Sequence, residues 1–330
     1  MSETATPEAV AQEARGIARD FEAALRDDPA AGRRARLAGL RLAVEWSVIV
    51  AVTYALVYAV RSVPRKLALL IPWSIYASLA LDNITHYANH WPLFRGALAN
   101  GLWRASGVLV FFNPREIQAI HGDHHRAYSR PDNDERVFGP EQRGQSFLRY
   151  LLVESLDGLR VLVPRRAMAP PVVALGARRP GHLREIRAIR WAFLGWFALL
   201  VVADWRDTLC YFVPFVLVVG SFASLVMNLT DHIPGDSHHP FRFATYLDPA
   251  TRGEELCSAI NHQTCATHLT HHLFPRVHWI HLRALQERLL PIYRRNGAPR
   301  SLLVNSTLTG NPFALARVLR ELARRRFDLA

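Results

Sequence analysis

The stretch that decides the fold runs from Asn261 to His281 and reads NHQTCATHLTHHLFPRVHWIH. Within it, His268, His271 and His272 have the spacing i, i+3 and i+4. Because residues at these spacings share one face of an α-helix, the three imidazoles can point toward the same place. Imidazole is the commonest side chain that binds transition metals, so the pattern predicts a metal-binding helix.

The chain repeats this arrangement in three other places. Two are pairs four residues apart, and the third is another triplet with the spacing i, i+3 and i+4. A single pair has an ordinary explanation, a solvated or hydrogen-bonded side chain, but four related clusters favour a shared metal site. The predicted metal ligands are His86, His90, His121, His124, His125, Asn228, His232, His268, His271 and His272. Six other histidines match no cluster and are not predicted as ligands: His182, His238, His239, His262, His278 and His281.

Nine imidazoles and one amide are too many ligands for one metal and fit two. Imidazole suits iron, zinc and copper, so the residues alone leave the metal open. A structural zinc site usually has thiolate ligands, but Cys210, Cys257 and Cys265 form no C-x-x-C pair. No H-E-x-x-H motif of a zinc protease occurs either. The hypothesis that follows is oxygen activation on two irons.

Apolar segments long enough to cross a bilayer alternate with basic, polar segments, and half of all residues are hydrophobic. This pattern predicts an all-α integral membrane protein with four transmembrane helices. Their approximate positions are residues 42–60, 67–82, 190–203 and 208–229. The alternative is that the shorter segments are buried core helices of a soluble protein.

Four crossings form two hairpins, so the N-terminus, residues 82–188 and everything after 229 are expected on one side of the membrane. All four histidine clusters lie in or next to these parts, and the ligands are therefore expected to meet just above the bilayer, in a helical cap. Arginines concentrate in residues 33–41 and 178–190, on the same side. By the positive-inside rule this side is cytoplasmic.

Three domains are predicted from the same pattern of apolar and basic segments. Residues 1–41 form an amphipathic helix with a basic lead-in, and the apolar stripe of that helix runs from Val10 to Leu25. Residues 42–290 form the membrane domain and its cap, with interfacial helices near 97–112 and 147–163. Residues 291–330 form a basic helical tail.

The clusters resemble the three histidine boxes of the membrane-bound fatty acid desaturase superfamily. The boxes are His86-x-x-x-His90, His121-x-x-His124-His125 and His268-x-x-His271-His272. Asn228-x-x-x-His232 is similar to an additional element that follows the fourth span in acyl desaturases. The continuation HHLFP after His271 also looks like that of the family, and the resemblance covers roughly residues 42–290.

The resemblance implies a non-haem di-iron enzyme with O₂ as co-substrate, nine histidine ligands and Asn228 as a weak or water-mediated ligand. No catalytic residue beyond these ligands is predicted. Asp82, one turn before His86, is a candidate for orienting that ligand. The expected reaction is desaturation, with extension to a triple bond as a variant, of an acyl chain carried as a thioester or lipid.

Two other functions stay open at this point. The same scaffold supports a hydroxylase or ketolase of a lipid, alkane or carotenoid, and a metal-binding membrane protein without redox turnover is the third possibility. The expected partners are the lipid bilayer and an electron donor such as ferredoxin, rubredoxin or a cytochrome. The net charge of +12 suits an acyl carrier protein or acyl-CoA. No nucleic-acid motif is present, and a bacterial inner membrane is the expected location.

Overall fold

A computed structural model of the chain describes residues 7–128, 179–219, 241, 244, 246 and 264–298. The described residues are mostly helical and include no β-strand, as the all-α prediction requires. Several predictions lie outside the described residues. They concern Asn228, His232, the interfacial helix at 147–163, residues 220–229 of the fourth span, and the tail beyond residue 298.

Eight α-helices occur among the described residues. In chain order they are α1 (Pro7–Asp27), α2 (Pro29–Tyr54), α3 (Val63–His90), α4 (Ala97–Ser106), α5 (Pro114–Tyr128), α6 (Pro180–Asp207), α7 (Thr264–Leu273) and α8 (Trp279–Arg295). A π-helical turn, Ala55–Ala59, follows α2, and a second one, Thr208–Phe212, follows α6. A 3₁₀ turn, Gly107–Val110, follows α4.

Three helical segments among the described residues are long and apolar enough to cross a membrane: Pro29–Ala59, Val63–His90 and Pro180–Val219. The first two contain the first two predicted spans, and α3 continues through both histidines of the first box, as expected. Large apolar side chains such as Ile71 and Val202 are exposed on these segments. Exposed apolar surface on this scale is typical of a helix that faces lipid.

The third segment contains the third predicted span and residues 208–219 of the fourth, and it is bent between them. Asp204 has non-helical backbone angles, φ −158° and ψ 90°. The ring of Phe111 contacts Phe193 at 5.3 Å and Phe212 at 5.5 Å. In a straight helix the last two residues would be about 28 Å apart. The chain therefore folds back near Asp204, where the sequence predicted a loop.

The chain divides into two compact units, each described here by itself. The first comprises Met1–Ala38, His125–Leu148 and Val226–Ala330. The second comprises Gly39–His124 and Arg149–Leu225.

In the first unit, α1 packs against α8. Its apolar stripe is buried, with Val10 and Ala14 each 2% exposed. The Arg288 guanidinium lies over the Phe21 ring at 4.9 Å, and Arg295 forms an ion pair of 2.6 Å with Glu13. The amphipathic helix predicted at the N-terminus therefore exists, and its apolar face lies on protein.

In the second unit, the only lysine of the chain joins the start of α3 to the turn after α6. Lys66 is 3% exposed, and its Nζ donates hydrogen bonds to Asp207 Oδ1 at 2.7 Å and to the Val57 carbonyl at 2.6 Å. The Tyr211 ring lies 4.3 Å from the same nitrogen. A buried cation needs such partners because desolvation of an unpaired charge is costly.

We expect Lys66→Met to lower the free energy of unfolding by about 3 kcal/mol, because it leaves the Asp207 carboxylate without its cation in a poorly hydrated site. Unfolding by a denaturing detergent, followed by tryptophan fluorescence, measures this loss. The double variant Lys66→Met/Asp207→Leu should recover most of it, while the exposed neighbour Arg65→Met serves as control. Equal unfolding of Lys66→Met and the native chain would contradict the role of the pair.

Candidate functional site

The second unit brings three predicted ligands together. His86 and His90 lie one turn apart on α3, and His121 lies on α5. The Nε2 atoms of His90 and His121 are 2.9 Å apart, and the rings of His86 and His121 have centroids 4.1 Å apart. The possible ligand atoms of all three lie within 4.8 Å of one another. His86 is only 3% exposed, whereas His90 and His121 are half-buried.

The start of α5 is fixed within the same unit. Pro114 begins the helix, and the Asn113 side-chain oxygen accepts a hydrogen bond from the Glu116 backbone N–H at 3.3 Å. Glu116 also forms an ion pair with Arg190 of α6, with a hydrogen bond of 3.1 Å from Nε and a second one from the terminal nitrogen. These contacts set the position of the helix that carries His121.

The first unit brings together a second group of four predicted ligands. His268, His271 and His272 lie on α7, and the Nε2 atoms of His268 and His272 are 2.9 Å apart. His125 Nε2 lies 3.0 Å from that of His271, and its ring centroid lies 4.5 Å from that of His272. All three histidines of α7 are buried.

A buried hydrogen-bond network fixes α7 next to α8. The Thr270 hydroxyl lies 3.0 Å from Gln286 Oε1 and 3.0 Å from the Tyr293 hydroxyl. Burial raises the pKa of Tyr293, so its hydroxyl stays protonated and can donate. Sequence analysis missed this network, because a lone threonine inside a histidine box and two polar residues two turns apart on a later helix carry no recognisable pattern.

The distances between the imidazoles fit a metal. In an octahedral centre with metal–nitrogen distances of about 2.1 Å, ligands at right angles are about 3.0 Å apart, and in a tetrahedral centre they are about 3.4 Å apart. The observed separations within the units are 2.9 Å for His90–His121, 2.9 Å for His268–His272 and 3.0 Å for His125–His271. The paired imidazoles of both groups therefore have the spacing of neighbouring ligands in a six-coordinate centre.

Seven predicted ligands thus lie in one of the two groups: His86, His90, His121, His125, His268, His271 and His272. His124 belongs to α5, but its side chain, like Asn228 and His232, lies outside the described residues. Whether all ten residues serve one pair of metals stays a prediction.

Two other residues singled out in the sequence have different surroundings. Among the described residues, no hydrogen bond joins Asp82 to His86, so its orienting role stays a prediction. His278 contacts the rings of Trp279 and His281. Burial, assisted by the charge of His281, lowers the pKa of His278 to about 4, and its imidazole is neutral at physiological pH.

Comparison with known proteins agrees with the histidine boxes. A family model described as fatty acid desaturase matches residues 62–303, which is more than half of the chain and includes every predicted ligand. No curated protein and no solved structure matches the chain.

We expect His90→Ala and His271→Ala each to lower the amount of transition metal that copurifies with the protein, because each removes an imidazole from a close pair. Elemental analysis by mass spectrometry, on protein purified without added chelator, measures the metal per chain. His182→Ala is the matched control, since this histidine of α6 belongs to neither group. Native metal content in both cluster variants would show that the imidazoles are not ligands.

Proposed function

The chain belongs to the fatty acid desaturase family, and on that premise we propose that it is a membrane-bound di-iron oxidoreductase that desaturates an acyl chain with O₂. The observation that carries the proposal is the close pairing of box imidazoles within each unit, at 2.9–3.0 Å. Imidazole pairs of this kind are a means of holding a metal in a site of low polarity.

The ligands of the two irons would be the seven histidines of the two groups, completed by His124, His232 and, more weakly, Asn228. When bound, the irons supply the activation of O₂, which no amino-acid side chain provides. The protein contributes the ligand positions, fixed in the first unit by the Thr270 network and in the second by the ion pair between Glu116 and Arg190.

Burial of the ligands suits oxidation of an unactivated C–H bond. His86, His268 and His271 are 3%, 1% and 2% exposed, so bulk water has little access to these side chains. Exclusion of water protects reactive oxygen chemistry from side reactions. Desaturation balances when O₂, two electrons and two protons combine with the two hydrogens removed from the substrate to give a double bond and two waters.

The electrons would come from a separate donor, for which ferredoxin, rubredoxin and a cytochrome are the candidate classes. The substrate would be an acyl chain carried as a thioester or as a lipid. The net charge of +12 supports an anionic partner or carrier, such as an acidic acyl carrier protein or acyl-CoA.

The products of turnover test this function. We expect that the purified enzyme, with O₂ and a reducing system, converts an acyl substrate to a product two hydrogens lighter, because desaturation adds no oxygen. Mass spectrometry after incubation with a panel of acyl thioesters and phospholipids measures this change, with the His271→Ala variant as control. A product that has gained one oxygen would identify the chain as a hydroxylase instead, and no O₂-dependent product would refute the proposal.

Four membrane crossings belong to the same proposal. The bend at Asp204 supports two crossings within Pro180–Val219, in addition to those of Pro29–Ala59 and Val63–His90. The arginines at 33–41 and 178–190 support a cytoplasmic location for the histidine side.

Cysteine labelling tests this topology. In a cysteine-free background, we expect Ser62→Cys and Arg206→Cys to react with a membrane-impermeant maleimide in intact cells, because both lie at turns on the far side from the histidines. Gly181→Cys should react only after permeabilisation, and its side chain has free space, since no atom lies within 4 Å of an added Cβ. The reverse labelling pattern, or labelling of Ser62→Cys and Arg206→Cys from opposite sides, would refute the topology.

A further inference from the structure

A cavity of about 290 Å³ lies in the second unit, between the end of α3, helix α4 and the start of α5. This volume is at the lower limit of small-molecule pockets, which suits a head group better than a whole acyl chain. Its polar lining residues are Asn89, Asn100, Trp103, Arg104, Arg115 and Gln118.

The cavity has an excess of positive charge. Arg104 and Arg115 share a single carboxylate, that of Glu185, through hydrogen bonds of 2.5 and 2.9 Å from their Nε atoms. The two arginine side chains are only 19% and 11% exposed, so water screens this excess poorly. Burial lowers the pKa of Arg115. The negative charge of Glu185 raises this pKa, whereas the positive charges of Arg104 and Arg179 lower it. A bound anion would compensate the second guanidinium.

Two of the lining residues also carry a buried side-chain donor without a partner in the described part of the chain. Trp103 Nε1 and Asn89 Nδ2 are buried and have no hydrogen-bond partner among the residues that the structure describes. Trp103 as a whole is 8% exposed. Since the indole N–H can only donate, and a buried donor without a partner destabilises the fold, these groups favour a ligand rich in acceptor oxygens.

The cavity adjoins the histidines of the second unit. Asn89 directly precedes His90, and Gln118 lies one helical turn before His121 on α5. Residues that line the cavity are therefore sequence neighbours of two predicted ligands on α3 and α5.

We propose that this cavity binds the anionic head group of the substrate, a carboxylate or a phosphate, and so fixes the position of the attached chain relative to the histidines. The assignment of the ligand as substrate rests on the proposed function, whereas the anion site itself rests on the arginines and unpartnered donors. A carboxylate or phosphate supplies a second anionic acceptor for the two guanidiniums, and further acceptor oxygens for the indole and the amide.

Binding of lipids that share one chain and differ in head group tests this proposal. The full-length protein, in nanodiscs of neutral phosphatidylcholine without reductant, is titrated with hexadecanoate, hexadecyl phosphate and hexadecanol, and microscale thermophoresis gives each Kd. We expect one or both anions to bind about tenfold or more tightly than the alcohol, because charge-assisted hydrogen bonds add at least that much. Equal affinity for all three lipids would overturn the proposal. Turnover is not required, so this result is independent of the product analysis above.

Variants of the lining residues locate the site. Arg104→Gln and Arg115→Gln should each remove most of the preference for anions, and Trp103→Phe should weaken anion binding while it keeps the ring. The matched control is Arg187→Gln, at an exposed arginine of α6. This variant should bind the anions as the native chain does. Unchanged anion preference in both cavity variants would refute the site.

A variant that should increase the affinity for anions separates an effect on the site from loss of folding. Glu185→Gln removes the carboxylate that the two arginines share and keeps the shape of its side chain, so anions should bind more tightly than to the native chain. A misfolded protein cannot give this gain, and weaker binding would overturn the proposal.

Inorganic phosphate is titrated in parallel. If it binds with the affinity of hexadecyl phosphate, the cavity is a free-phosphate site and the substrate assignment is wrong.

Discussion

Paired imidazole nitrogens about 3 Å apart, half-buried or buried among helices, are the constraint on which the rest of this structure depends. His90 with His121, and His268 with His272, are pairs of this kind. Such pairs are unfavourable in a packed interior unless a proton or a metal lies between the lone pairs, because two neutral acceptors facing each other repel. Helix lengths and the contacts of neighbouring side chains are arranged so that these nitrogens remain close.

Polar contacts away from the histidines hold this arrangement. The ion pair between Glu116 and Arg190 fixes the start of α5, and the Thr270 hydroxyl ties α7 to α8 through Gln286 and Tyr293. Each contact joins residues far apart in sequence and largely shielded from water, where hydrogen bonds are strong and their loss is costly. Rigid positioning of ligands by such neighbours is a general requirement of metal sites.

The apolar and charged surfaces of the second unit have complementary roles. Exposed Ile71 and Val202 suit contact with lipid, while the buried pair of Lys66 and Asp207 joins two helix ends by charge. The balance of charge is different between α4 and α5, since among the described residues Arg104 and Arg115 share one carboxylate, that of Glu185. The proposed oxidation of an acyl chain with an anionic head group would use both environments, one for the chain and one for the head group.

The sequence by itself determined the helical class, the first two spans and the residues of the histidine boxes, because helical periodicity and ligand spacing are local properties. The predicted spans also left residues 204–207 as the connection between the third and the fourth. Only the tertiary structure decided that α1 lies on α8, that Thr270 contacts Tyr293, and that Arg104 and Arg115 converge on Glu185. These contacts join residues separated by 23 to 282 positions. Which side chains meet over such separations depends on how helices pack, and no local pattern records that.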